Sequence, residues 1–367
     1  MAALAAYPEL SCTGGPFAVQ KGWGVFDEVF CPKEETFTFL QNVLTEVMDL
    51  FQGDYIHIGG DECPKTRWKA CARCQALMKK EGLKDPNELQ SYFIRRIEKF
   101  VNGKGRKIIG WDEILEGGLA PNAAVMSWRG IEGGTAAAQQ KHNVVMSPGS
   151  HCYFDHYQGD PAHEPLAIGG FTTVQKTYGY EPVPEALTAE EAKYIMGAQG
   201  NVWTEYITTP EQVEYMTLPR MIALAEVLWS PKEKRDEGSF IRRLEQEFTK
   251  LDALHVNYSK SLYNVEFKMS GSKKRGQVNV ELACSPGLGE MRFTTDGSEP
   301  TYTSPKFDYT IEQRGSTTIK AAIFGGDKKL GNTTSLKLDF DKATGCALAV
   351  EPRPDERYDD GGIFALV

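Results

Sequence analysis

The sequence lacks any run of 18 apolar residues, so no segment of it is suited to cross a bilayer as a helix. It also lacks a basic block of the size that phosphate binding needs. Its 41 Lys and Arg face 50 Asp and Glu, the net charge is −9, and nucleic acid is excluded as a partner. The one basic stretch, Lys268–Arg275, sits among Gly and Ser and reads as a solvated turn. Met1–Leu10 has neither a basic leader nor a long apolar core, so no export signal is read there. There is no internal repeat or low-complexity tract. Eight cysteines without regular spacing fit neither a disulfide-dense miniprotein nor a redox enzyme. Cys63, Cys71 and Cys74 form a C-x7-C-x2-C array, but a fourth ligand is not evident. Ordinary thiols or a local disulfide are therefore expected, with no metal and no cofactor.

What is present is an alternation. Strand candidates are 55–60, 107–112, 125–128, 144–147 with 152–155 just beyond, and 195–203. Between them lie helical patterns. One is 35–51, where Phe39, Leu40, Val43, Leu44, Val47, Met48 and Phe51 recur at three- and four-residue steps. Another is 87–101, and Thr188–Glu191 is a capping box that predicts a further helix start. Phe240, Leu244, Phe248, Leu251 and Leu254 predict the buried stripe of the last helix. Strand and helix in this rhythm imply an α/β fold with a parallel sheet. Several strands end in polar or aromatic residues, as do those of a (β/α)8 TIM barrel at its active-site face. About five strands are found where eight are needed, so the expectation is an incomplete barrel, roughly strands 4–8, occupying residues 1–257. From 258 to 341 short alternating stretches separated by turn clusters predict a small all-β sandwich. Residues 342–367 read as a linker or the truncated start of an accessory domain.

The strongest local signal is His57-Ile-Gly-Gly-Asp61-Glu62. Neighbouring residues of a regular strand face opposite sides, so two adjacent carboxylates share one site only where the strand breaks, and paired glycines permit the break. By itself the string also fits a surface acidic pair after a turn. Trp111, Trp128 and Trp203, three of six tryptophans, each close a different strand candidate. Indole faces suit pyranose rings and a cationic sugar transition state, whereas packing alone would not gather three beside two acids. Hydrolysis of a sugar linkage follows as the expected chemistry. The geometric expectation is that the backbone turns after the glycines so that both acids aim into a tryptophan-lined cup.

HIGGDE, GWDE (Gly110–Glu113), MSWRG (Met126–Gly130), YFD (Tyr153–Asp155) and NVWTE (Asn201–Glu205) resemble the successive strand motifs of glycoside hydrolase family 20, the β-N-acetylhexosaminidases. FTTDGSEPT (Phe293–Thr301) and TTIKAAIF (Thr317–Phe324) resemble the β-sandwich domain that follows the barrel in bacterial members. The resemblance covers nearly the whole chain. It implies retaining hydrolysis of terminal β-linked N-acetylhexosamine through an oxazolinium intermediate. Glu62 is then general acid and base, Asp61 orients the acetamide, and Tyr153 holds its carbonyl. Trp111, Trp128 and Trp203 wall the sugar, Glu205 binds the 4- and 6-hydroxyls, and Asp155 adds a polar contact. The implied substrate is an N-acetylhexosamine-terminated oligosaccharide or glycoconjugate, and the implied location is extracytoplasmic.

The chain departs from the family pattern in lacking an Arg and an Asp on early strands and a Gly-His pair. The reading that goes with this departure is an inactive or merely sugar-binding fragment. A redox or metal role for Cys63, Cys71 and Cys74 is a third reading.

Overall fold

The computed structural model describes residues 2–272, 276–285, 287–341 and 344. They form two compact units: one of residues 1–152 with 181–200, the other of residues 153–180 with everything from 201 on.

The first unit is α/β. Its helices are α1 (Ala2–Ala6), α2 (Glu34–Leu50), α3 (Thr66–Ala70), α4 (Ala72–Glu81), α5 (Pro86–Gly103), α6 (Glu132–Gln139) and α7 (Gly149–Cys152). Its strands are β1 (Tyr55–His57), β2 (Lys107–Trp111), β3 (Ala124–Ser127), β4 (Val144–Met146) and β5 (Ile195–Ala198). They make one parallel sheet in the order β1-β2-β3-β4-β5, the sequential order of a barrel wall. All five strand candidates are therefore strands, four of them shorter than the sequence suggested and β3 shifted by one residue: β1 stops at His57 and β5 at Ala198. Residues 152–155 do not extend β4. Gly149–Cys152 is a helical turn, and Tyr153 makes only an isolated bridge with Asn201.

Helix α5 shows why the local sequence suffices there. Asp85 caps it by accepting from Asn87 N (2.7 Å) and Glu88 N (2.9 Å), Pro86 opens it, and Leu89, Ile94, Ile97 and Val101 are buried. Helix α2 forms as expected, yet Val43 stays exposed because it lines an open cleft with Leu40 and Leu44, and Phe51 because it is the extended C-cap past the last turn. The capping box at Thr188 is present: Glu191 Oε2 accepts from Thr188 N and Oγ1, each at 2.8 Å. It opens a four-residue 3-10 turn, Glu191–Tyr194, rather than an α-helix, since the chain must enter β5 at Ile195.

The second unit holds α8 (Val174–Tyr178), α9 (Pro210–Thr217), α10 (Arg220–Trp229), α11 (Glu237–Ala253) and seven strands: β6 (Glu266–Gly271), β7 (Val278–Ala283), β8 (Glu290–Thr294), β9 (Ile311–Gln313), β10 (Thr317–Gly325), β11 (Lys328–Lys329) and β12 (Thr334–Leu338). Two antiparallel sheets result, β6-β7-β9 and β11-β10-β12 with β8 paired to β10. In β7 Val278, Val280 and Leu282 are buried while Glu281 is exposed, the period-two pattern of a half-buried strand. These side chains share one core with Tyr178 of α8, Val227 of α10 and Phe240, Leu244 and Phe248 of α11. Two expectations fail here. Lys268–Gly271, read as part of a turn, belongs to β6, whose pairing to β7 the sequence did not signal because only one of its faces alternates weakly. Leu254 is 72 % exposed, because it is the C-cap of α11 and lies past the last turn. Residues 273–275 of the basic stretch, and 342–367 apart from Thr344, lie outside the described residues.

Candidate active site

The turn after β1 is built by glycine. Gly59 (φ +70°) and Gly60 (φ +97°) take the left-handed region, and Glu62 follows at φ +42°, rare for a residue with a side chain. Such strain persists where the surroundings over-determine the backbone. Here they do: Trp111 N donates to Gly59 O (2.9 Å) and Gln90 Nε2 to Gly60 O (2.8 Å). Gly110 must also be glycine, because a Cβ there would stand 2.8 Å from Gly59 O. The strand is thus broken as the adjacent acids require, and Asp61 and Glu62 both line a cleft of about 470 Å³ with His57, Cys63, Trp68 and the apolar faces of α2 and α5.

Both carboxyls are raised above their ordinary values. For Asp61 the main cause is loss of water, followed by the charge of Glu113; for Glu62 it is loss of water, then the charges of Asp61 and Glu113. Sequence reasoning quoted the Gly-Trp-Asp-Glu string but gave Asp112, Glu113 and Arg129 no role. After β2 the chain winds into a 3-10 turn, Asp112–Leu115, which carries both acids inward. Glu113 is 7 % exposed and accepts from the Trp128 indole Nε1 at 2.9 Å. Arg129 Nε donates to Asp112 at 2.9 Å and lies 3.8 Å from Glu113. Burial pushes Asp112 up to about 6 against the pull of Arg129. The signal that could have found this network is the pairing of an Arg after Trp128 with two acids after Trp111.

Trp111 and Trp128 meet edge to face, with ring centroids 6.4 Å apart, and the His57 ring lies 4.8 Å from Trp111. His57 Nδ1 accepts from Gly59 N at 3.1 Å, and burial lowers its pKa. Trp111 is only 9 % exposed.

Glu113 links the indole wall to the acid pair, which gives a direct expectation. Glu113→Gln keeps a hydrogen-bond acceptor for Trp128 but removes the charge that raises Asp61 and Glu62. The carboxyl titrations of Asp61 and Glu62, followed by NMR across pH, then move to lower pH. Unmoved titrations would deny the coupling.

The other expected site residues lie in the second unit. The Tyr153 ring stands 6.4 Å from Trp203 and 5.6 Å from His156. Trp203 and Glu205 are exposed, whereas Asp155 is 4 % exposed. Burial, and then the charge of Glu205, pushes Asp155 up to about 6. A residue the sequence did not single out holds this segment in place. Arg220 is wholly buried and donates from Nη1 to His156 O and Thr172 O (2.9 Å each), and from Nη2 to Phe154 O (2.6 Å) and Met216 O. Burial lowers it to about 9. The expected array of Cys63, Cys71 and Cys74 is not what the fold assembles. Cys71 and Cys74 join Cys12 and Cys31, and Cys63 stands apart because it belongs to the Asp61–Glu62 turn.

Comparison with known proteins finds a family. Residues 1–232 match the model of the glycosyl hydrolase family 20 catalytic domain, and residues 269–335 match the chitobiase/beta-hexosaminidase C-terminal domain. A beta-hexosaminidase of Porphyromonas gingivalis is 46 % identical over 334 residues, which cover 89 % of this chain and 42 % of that protein. One from Vibrio furnissii is 35 % identical over 52 % of this chain and 32 % of its own. Among solved structures, a family 20 exo-beta-N-acetylglucosaminidase of Vibrio harveyi, in complex with N-acetylglucosamine, superposes with a TM-score of 0.61 at 31 % identity, covering 71 % of this chain and 42 % of that one. A Flavobacterium johnsoniae chitobiase gives 0.60 at 32 % identity, over 71 % and 39 %. The chain thus spans about two fifths or less of the length of these relatives.

Proposed function

Since the chain belongs to glycoside hydrolase family 20, we propose that it carries the acid/base machinery of a retaining β-N-acetylhexosaminidase. The observation that carries this reading is the strained Gly-Gly turn that sets two neighbouring carboxyls, both raised, on one cleft. Glu62, held at a positive φ and raised above the ordinary glutamate value, delivers its proton to the leaving glycosidic oxygen. As an anion it then takes a proton from water. No second carboxylate attacks carbon; the substrate's own acetamide oxygen does, closing an oxazolinium ring. Asp61 accepts the acetamide N–H and offsets the positive charge that grows on the ring. Trp111 and Trp128 wall the sugar, the second held by Glu113 through its indole N–H. For the residues of the other unit the proposed roles are those the family resemblance implies: Tyr153 for the acetamide carbonyl, Trp203 as an aromatic face, Glu205 for the outer hydroxyls, and Asp155 as support of the Tyr153 segment. The substrate class is a glycan ending in β-linked N-acetylglucosamine or N-acetylgalactosamine, met outside the cytoplasm.

Calorimetry with the thiazoline analogue of cyclised N-acetylglucosamine tests the reading on the chain itself. A mimic of the intermediate should bind more tightly than N-acetylglucosamine by about 10²-fold or more, the lower end for transition-state analogues. Asp61→Asn should remove most of that preference. Equal affinity for the two ligands would overturn the substrate-assisted assignment.

A further inference from the structure

We propose that Cys12, Cys31, Cys71 and Cys74 form a tetrahedral tetrathiolate site for one Zn²⁺, a structural centre outside the sugar site. All four Sγ atoms lie within 4.8 Å of one another, with Cys12 to Cys74 at 3.6 Å and Cys31 to Cys74 at 3.9 Å. Zn–S bonds of about 2.3 Å set the sulfurs of a regular tetrahedron about 3.8 Å apart. A disulfide instead needs about 2.05 Å and satisfies sulfurs in pairs, which leaves four-way proximity unexplained.

The backbone supports this clustering from two sides. Cys71 is the extended N-cap of α4 and Cys74 lies in its first turn, so the C-x2-C spacing presents both sulfurs at the positive end of a ten-residue helix, which favours thiolates. The other two ligands come from the N-terminal segment. An antiparallel bridge between Ser11 and Phe30, and Cys31 N donating to Leu10 O at 2.8 Å, bring Cys12 beside Cys31. Cys31 and Cys74 are buried and Cys12 and Cys71 half-buried, which suits a closed structural centre better than a catalytic one with an open position. Trp68, Met78 and Leu89 pack around the thiols, and Trp68 Nε1 donates to Phe30 O at 2.9 Å. Four thiolates and one Zn²⁺ leave two negative charges; Arg73, whose Nη2 donates to Cys12 O at 3.2 Å, puts a guanidinium beside them. Binding converts four thiols to thiolates and releases their protons, with no change of oxidation state.

The ion would fasten the 12–31 segment to the α3–α4 corner. Glu28, Val29 and Phe30 of that segment line the same cleft as Asp61 and Glu62, and α3 begins four residues after Glu62. The centre therefore braces both flanks of the acid-bearing turn, whose Cys63 packs against the same cluster.

Elemental analysis of the tag-free, dialysed chain decides the matter. About one zinc per chain is expected, falling below about a tenth in Cys12→Ser or Cys74→Ser and staying at about one in the triple variant Cys63→Ser, Cys152→Ser, Cys284→Ser. Should the ligand variants fail to fold, the parent chain still answers. Native alkylation should spare four thiols until a chelator is added, and zinc loss should lower Tm. A parent chain that is metal-free and four hydrogens lighter under non-reducing conditions contains two disulfides and overturns the proposal. So do Cys12, Cys31, Cys71 and Cys74 that alkylate before any chelator is added, or stoichiometric iron in place of zinc.

Discussion

Glu62→Gln is expected to lower kcat/KM for chitobiose by about 10²–10⁴-fold, the usual share of general acid–base catalysis. The loss should shrink sharply for aryl N-acetyl-β-glucosaminides whose phenolate departs without a proton. The amide is nearly isosteric, so cleft shape and ground-state binding stay close to the parent, and the defect falls on kcat. The pH dependence supplies a second signature. Loss of water and the charges of Asp61 and Glu113 raise the Glu62 carboxyl, so it stays protonated further toward neutrality than a free glutamate. With Glu62 as the proposed acid, its acid form is lost as pH climbs through that raised value, and an alkaline limb is expected there. The substituted amide cannot titrate, and the limb should vanish. If the variant cleaved chitobiose at the parental rate, or lost activity equally for all leaving groups, Glu62 would not be the acid.

The second large effect is on stability. Arg220→Met should destabilise the protein by about 3 kcal/mol or more, since each buried acceptor left unsatisfied costs about 1–3 kcal/mol. Met approaches the volume of the aliphatic stem, so little of the loss comes from a cavity. It comes from four backbone carbonyls, of Phe154, His156, Thr172 and Met216, which lose their donor where water cannot replace it. Urea unfolding followed by fluorescence measures it; a midpoint within about a tenth of the parent's would mean the carbonyls find other donors. Because Phe154 and His156 flank Asp155 and follow Tyr153, the same variant should loosen the segment that presents those two side chains.

Much of this architecture was legible because it is local. The strand candidates, the α5 cap at Asp85 and the buried period of α11 rest on interactions within a few residues, which periodicity and capping chemistry report directly. The Gly-Gly-Asp-Glu turn was readable for the same reason: two neighbouring acids can share a site only if glycine breaks the strand between them and β1. Where local signals misled, a constraint from elsewhere was responsible. The Thr188 box makes its reciprocal hydrogen bonds but yields a 3-10 turn, since β5 begins at once. The stripe on α2 is helical in period and still lines a cleft.

Sequence alone thus determined the α/β order, the all-β character of the C-terminal part and the acid pair, each written in spacings of one to four residues. Tertiary structure alone decided that Glu113 and Arg129 hold Trp128 and Asp112, that Arg220 gathers four carbonyls, and that Cys12 and Cys31 meet Cys71 and Cys74. Those partners stand far apart along the chain. A spacing pattern carries no record of which distant residues the packing of the fold brings together, and it is that packing which sets their burial and their charge.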